Sequence, residues 1–244
     1  MKVARFAVAA FVVALLALAI APVPPTSAAA FTVRSIGDDP DAMPGDGVCA
    51  TAGAVCTLRA AIQEANALGG ADTINFSIPP TGAKTISPLS ALPAITEAVT
   101  IDGTTQPGFA GSPIIELNGA GAGASVNGIA VTAGTGSTIK GLVINSFNAS
   151  GILLQSASGA NIVQGNYIGT NIAGTAAMGN GGNGVSVLNG SPNNLIGGTA
   201  AGTRNVISAN LRGVLLTGSG NAVAGNYIGT DAAGAADLGN ANEE

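Results

Sequence analysis

Acid–base chemistry runs on carboxylates and imidazoles, and this 244-residue chain has thirteen acidic residues and no histidine. The lack of His removes the commonest general acid/base and every His-dependent nucleophile arrangement. From Leu117 through Thr230 there is no Asp or Glu at all, so the middle of the chain cannot hold an acid pair on its own. Asp102, Glu116, Asp231 and Asp237 flank that gap without a recognisable spacing. No residue is assigned a catalytic role. Asp38, Asp39, Asp41 and Asp46 in "DDPDAMPGDG" are the weak metal candidates. They could gather Ca²⁺, although their spacing fits neither an EF-hand nor a nonapeptide repeat. Ca²⁺ is the one cofactor that composition suggests. Lys140, Arg204 and Arg212 are the cations of the later chain, and they form a basic strip if Arg204 and Arg212 share a face.

Lys2 and Arg5 precede an apolar run from Phe6 to Ala21, and small residues then lead to a cleavage position between Ala30 and Phe31. Residues 1–30 therefore read as a signal peptide and the protein as secreted or cell-surface. The run is shorter than the roughly 20 residues that span a bilayer, so no transmembrane segment is expected after signal removal. Without Lys2 and Arg5 the chain has six basic and thirteen acidic residues, a net charge of −7. That charge argues against a nucleic-acid partner. Cys49 and Cys56 enclose six residues, which in an exported protein points to a disulfide.

The elements that would have to position any site are repeats. "GNYIGTNIAGTAAMGN" (165–180) and "GNYIGTDAAGAADLGN" (225–240) lie 60 residues apart and agree at eleven of sixteen positions. A finer beat recurs as "GIAV" at 128, "GILL" at 151, "GVSV" at 184 and "GVLL" at 213, each followed by further short apolar segments. Three short strands per turn of 23 to 33 residues describe an all-β fold, a parallel β-helix. Alternation places Ile129, Val131, Ile152, Leu154, Val185, Val187, Val214 and Leu216 inward. Asn145, Asn166, Asn210 and Asn226 are the expected members of asparagine ladders at the corners.

The first part of the chain differs. "TLRAAIQEANA" (57–67) predicts a short helix capped by Thr57, with Leu58, Ala61, Ile62 and Ala65 on one face and "GG" at 69–70 as its stop. Such a helix suits the plug that a solenoid's first coil requires. Arg59 in its first turn opposes the helix dipole, so a structural acidic partner is expected, Asp46 or Asp72.

"CTLRAAIQEAN", with "FTVRSIGDDPDAMPGDGVCATAGAVC" before it, resembles the N-terminal module named for the motif Cys-Ser-Leu-Arg-Glu-Ala (CSLREA). That module occurs on exported bacterial proteins that continue into right-handed parallel β-helix repeats of the pectin-lyase-like fold. "TIDGTTQPGF" and "GNYIGTDAAG" look like those repeats. Thr57 stands for the motif's Ser and Ala60 for its Glu, so half of a capping box is kept and half lost. The resemblance implies a module over 31–100 and right-handed repeats over 101–244. It says little about activity.

These features together predict an exported, non-catalytic scaffold or binding protein whose partner is polysaccharide or another surface ligand. The alternative is a polysaccharide lyase or glycoside hydrolase using Asp102 and Asp231, because such enzymes on this fold depend on carboxylates. "GNANEE" breaks off where the earlier copy continues "GNGGNGVSV", so a further alternative is a fragment of a larger surface protein; as written, the last coil would leave an open strand edge prone to end-to-end self-association.

Overall fold

The computed structural model describes residues 27–155 and 159–242. Most of the expected signal segment, residues 1–26, lies outside them. The chain opens with β1 (Ala30–Val33), helix α1 (Leu58–Ala67), β2 (Asp72–Phe76) and β3 (Lys84–Ile86). It then runs through β4 (Val99–Asp102), β5 (Ile115–Asn118), β6 (Ile129–Val131), β7 (Thr138–Lys140), β8 (Leu142–Asn145) and β9 (Ile152–Leu154). After these come β10 (Ile162–Gln164), β11 (Tyr167–Ile168), β12 (Val185–Val187), β13 (Leu195–Gly197) and β14 (Val206–Ile207). The last strands are β15 (Val214–Leu216), β16 (Ala222–Ala224) and β17 (Tyr227–Ile228).

The strands form three sheets, and every pairing between them is parallel. The first has the order β1-β2-β4-β7-β10-β13-β16, the second β17-β14-β11-β8-β5-β3 and the third β15-β12-β9-β6. From β4 onward the chain visits first, second and third sheet in rotation, so each strand pairs with its counterpart one turn away. The register puts like residues on like. Ile74, Ile101, Ile139, Val163, Ile196 and Val223 form one row in the first sheet. Ile86, Leu117, Ile144, Ile168, Ile207 and Ile228 form its equivalent in the second. Inward residues of all three sheets meet in one apolar core. Adjacent strands lie about 4.8 Å apart, and the stacked rows are filled mainly by Ile, Val and Leu, with Phe31, Phe76 and Phe147 as the rings of the core.

Six of the eight residues expected inward from the glycine-led segments are fully covered. The exceptions sit on β15, where Val214 is only partly covered and Leu216 is 39 % exposed. Their row is correct, since Val185 pairs with Val214 and Val187 with Leu216. What they lack is a strand on the far side, and Val223 (40 %) and Ile228 (46 %) on the neighbouring sheets are open for the same reason.

Helix α1 begins where the sequence placed it. Thr57 Oγ1 accepts the Ala60 N–H at 3.0 Å and donates to the Asp39 carbonyl at 2.7 Å, so the cap also ties down the preceding loop. Leu58, Ala61, Ile62 and Ala65 are buried in the core. The Cys49–Cys56 disulfide is formed and holds the loop that enters the helix.

Candidate functional site

Asparagine side chains organise the corners on which surface groups are mounted. At one corner Asn166 accepts the Leu142 N–H, Asn205 accepts the Asn166 N–H, and Asn226 accepts the Asn205 N–H, at 2.9 to 3.1 Å. Their Nδ2 groups donate to the Ile139, Val163 and Ile196 carbonyls of the preceding turn. A second ladder runs through Asn161, Asn194 and Asn221. A third runs through Asn180, Asn210 and Asn240. Asn166, Asn210 and Asn226 thus take the expected role. Asn145 does not: it donates to Glu116 Oε1 (2.8 Å) and to the Thr170 carbonyl (2.9 Å), because the preceding turn presents a carboxylate there.

The duplicated block is a strand followed by a braced loop. In the first copy Asn171 Oδ1 accepts the Thr175 and Ala176 amides, and in the second Asp231 Oδ1 accepts those of Ala235 and Ala236. Each loop crosses a tyrosine ring. Gly174 (φ +68°) and Gly234 (φ +71°) pass so close that an added Cβ would come within 2.8 Å of Tyr167 or 2.6 Å of Tyr227. The Ala232 N–H donates to the Gly174 carbonyl, joining the two copies. Tyr167 and Tyr227 stand on either side of Val206 in the second sheet, one ring per repeat.

Two adjoining hollows follow the corner between the first and second sheets. One, of about 230 Å³, is lined by Tyr167, Arg204, Tyr227, Val206, Pro113 and Ala232 among others. The second, of about 330 Å³, is lined by Phe109, Lys140, Gln164, Thr203 and Thr104 among others, and the two share Gly111, Gly165 and Gly202. The Arg204 guanidinium lies 4.0 Å from the centre of the Tyr227 ring, and its Nε donates to the Gly225 carbonyl at 2.8 Å. A cation over a ring face leaves the guanidinium edge free to meet an anionic or hydroxylated ligand. The condition for a basic strip, that Arg204 and Arg212 share a face, is not met, since they line different hollows. Arg212 precedes β15 at another corner, and Lys140 is the cation that shares this groove with Arg204.

Of the bordering carboxylates, Asp102 pairs with Lys140 Nζ at 2.8 Å and accepts the Thr104 N–H and Oγ1. The backbone N–H groups of Ala235 and then Ala236 hold the Asp231 carboxyl below the ordinary aspartate range. Asp102 on β4 and Asp231 beyond β17 are four turns apart, an axial separation of about 19 Å. Paired glycosidase carboxylates lie about 5–9.5 Å apart, so these two cannot act together on one bond.

Three of the four weak Ca²⁺ candidates, Asp38, Asp41 and Asp46, use their carboxylates on other partners. Asp38 forms a two-pronged pair with Arg59 (Nε 3.0 Å, Nη2 2.8 Å) and accepts the Leu89 N–H. This replaces the expected Asp46 or Asp72 partner of Arg59, because the entering loop folds over the first turn of α1 and brings Asp38 within reach. Arg59 also donates to the Ser90 and Ala91 carbonyls. Asp41 accepts the Met43 and Ala50 amides and Asp46 the Val48 amide, while the Asp39 carbonyl caps Thr57. Among the described residues no three His, Cys, Asp or Glu side chains gather as metal ligands. Sequence reasoning passed over Glu64, which is buried and accepts the Gly45 and Gly47 amides, closing this loop from the helix side. Its place on the polar side of the helical pattern concealed it.

Fold and groove define a strand-rich repeat protein with an aromatic and basic surface channel. No protein-family model and no curated protein matches the chain. Among the described residues no helix is long and apolar enough to cross a membrane.

Proposed function

We propose that this is an exported, non-catalytic scaffold, wound as a right-handed parallel β-helix capped by a CSLREA-like module, that holds polysaccharide along the groove between its first and second sheets. Three points support the winding: the rotation of the chain through three parallel sheets, the general right-handed preference of parallel crossovers, and the sequence resemblance. The binding reading is carried by one observation, the Arg204 guanidinium stacked on Tyr227 in a hollow that Tyr167 also lines, next to a second hollow lined by Lys140, which pairs with Asp102. Aromatic faces take up the apolar face of sugar rings, and Arg and Lys favour acidic sugars.

Retention of the purified protein on immobilised neutral and acidic glycans tests this. The expected result is retention on at least one acidic polymer, weakened several-fold by Arg204→Ala and by Tyr227→Ala, with no shortening of the polymer. Absence of retention on every glycan, or depolymerisation that disappears in Asp102→Ala or Asp231→Ala, would overturn it.

A further inference from the structure

Asp72 is 1 % exposed, and its side chain is poorly compensated. Its Oδ1 accepts a single hydrogen bond, from the Ala29 N–H at 2.7 Å, and its Oδ2 has no partner among the described residues. Neither ion pair among the described residues reaches it, since these join Arg59 to Asp38 and Lys140 to Asp102. A carboxylate taken out of water with one neutral donor is costly, and removing that cost calls for a positive charge at this place. Among the described residues the one group that donates to it is the main-chain nitrogen of Ala29. Ser27 and Ala28 just before it are exposed, and among the described residues Ala29 is the first whose backbone is tied in, its carbonyl accepting the Thr73 N–H at 2.8 Å.

We infer that the mature protein begins at Ala29, and that its α-ammonium is the buried counter-charge of Asp72. This rests on the exported reading, because it assigns the cut to the signal peptidase of the export pathway. Hydrolysis of the Ala28–Ala29 bond breaks the C–N link. Water supplies the oxygen of a new Ala28 carboxylate, and the freed Ala29 nitrogen becomes an ammonium with three N–H donors where an amide had one. Thr26 and Ala28 then stand at the small-residue positions before the cut. A cut between Ala30 and Phe31, which the sequence alone favours, discards Ala29 and strands both the Thr73 N–H and the whole Asp72 carboxylate. A cut after Ala29 does the same. Only the bond before Ala29 keeps every contact of this corner and adds charge to it.

The test is to express the full chain, residues 1–244, in an exporting bacterium and to take the intact mass and N-terminal sequence of the exported protein. A chain beginning at Ala29 is expected. An exported chain beginning at Ala30, Phe31 or any other processed position overturns the inference and leaves the export reading standing. A chain retained in the cell with Met1 intact overturns both. The pairing itself is read from chains released by tag cleavage to begin at Ala29 or at one added glycine before it. The added glycine is expected to raise the unfolding equilibrium constant about tenfold in the wild type and to have little effect in Asp72→Asn. Equal changes in both backgrounds would refute the ion pair. If Asp72→Asn does not fold, the terminal sequence alone decides the cut.

Discussion

Replacing Asn205 by Ala interrupts one corner ladder at its middle. Asn205 is fully buried, and its side chain satisfies the Asn166 N–H (2.9 Å), one hydrogen of Asn166 Nδ2 (3.1 Å) and the Val163 carbonyl (2.8 Å). Its own backbone N–H still reaches Asn226 Oδ1, so three groups lose a partner in a place water cannot easily enter. Each stranded buried group costs about 1–3 kcal/mol. Because neighbours in one network relax together, the total expected is about 3–5 kcal/mol rather than the full sum. That is a large part of the 5–15 kcal/mol that typically holds a domain. In a urea titration with a slope of about 2–3 kcal/mol/M, the midpoint should fall by about 1–2.5 M with the slope unchanged. Asn189→Gly is the control, since Asn189 is exposed with φ +52°, and it should stay within about 0.5 kcal/mol of wild type. A midpoint for Asn205→Ala within 0.3 M of wild type would refute the view that the corners are held by these side chains.

Arg59→Ala removes both prongs to Asp38 and the bonds to the Ser90 and Ala91 carbonyls from a largely covered pair, so about 2–4 kcal/mol of stability should be lost. Arg59→Lys should recover little of it, because a point charge cannot reproduce the planar fork. For Asp231, the depressed folded-state carboxyl contributes stability at neutral pH that is lost as pH falls through its folded value. Its carboxyl carbon resonance should titrate with a midpoint below the ordinary aspartate value of about 3.9, and a midpoint at or above that value would count against the loop bracing.

The core rows were legible in the sequence because glycine-led alternation is local: four residues suffice to show which of Ile129, Ala130 and Val131 points inward. The Thr57 cap, the α1 face and the Cys49–Cys56 bond were legible for the same reason. The corners were harder to read. Asn166 and Asn205 are neighbours at a separation of 39 residues, whereas Asn205 and Asn226 are neighbours at 21, because loops of different length are spliced between equivalent strands. No fixed period reveals such pairs, and Asn161, Asn180, Asn194, Asn205, Asn221 and Asn240 were accordingly missed. The groove shares this difficulty, since Lys140 and Arg204 come from distant parts of the chain and line adjoining hollows only because the strands stack. Arg59 found Asp38 through the path of a loop, which charge alone does not specify.

The duplicated block carries a consequence for the gene. Asn166 and Asn226 receive and donate the same bonds one unit apart, so an in-frame loss of codons 165–224 would splice Gly225 onto Gln164 and seat Asn226 over Leu142, where Asn166 now sits. Unequal recombination between the two copies could therefore shorten or lengthen the protein by whole turns without inventing a single new interface, which makes its length an easily inherited variable.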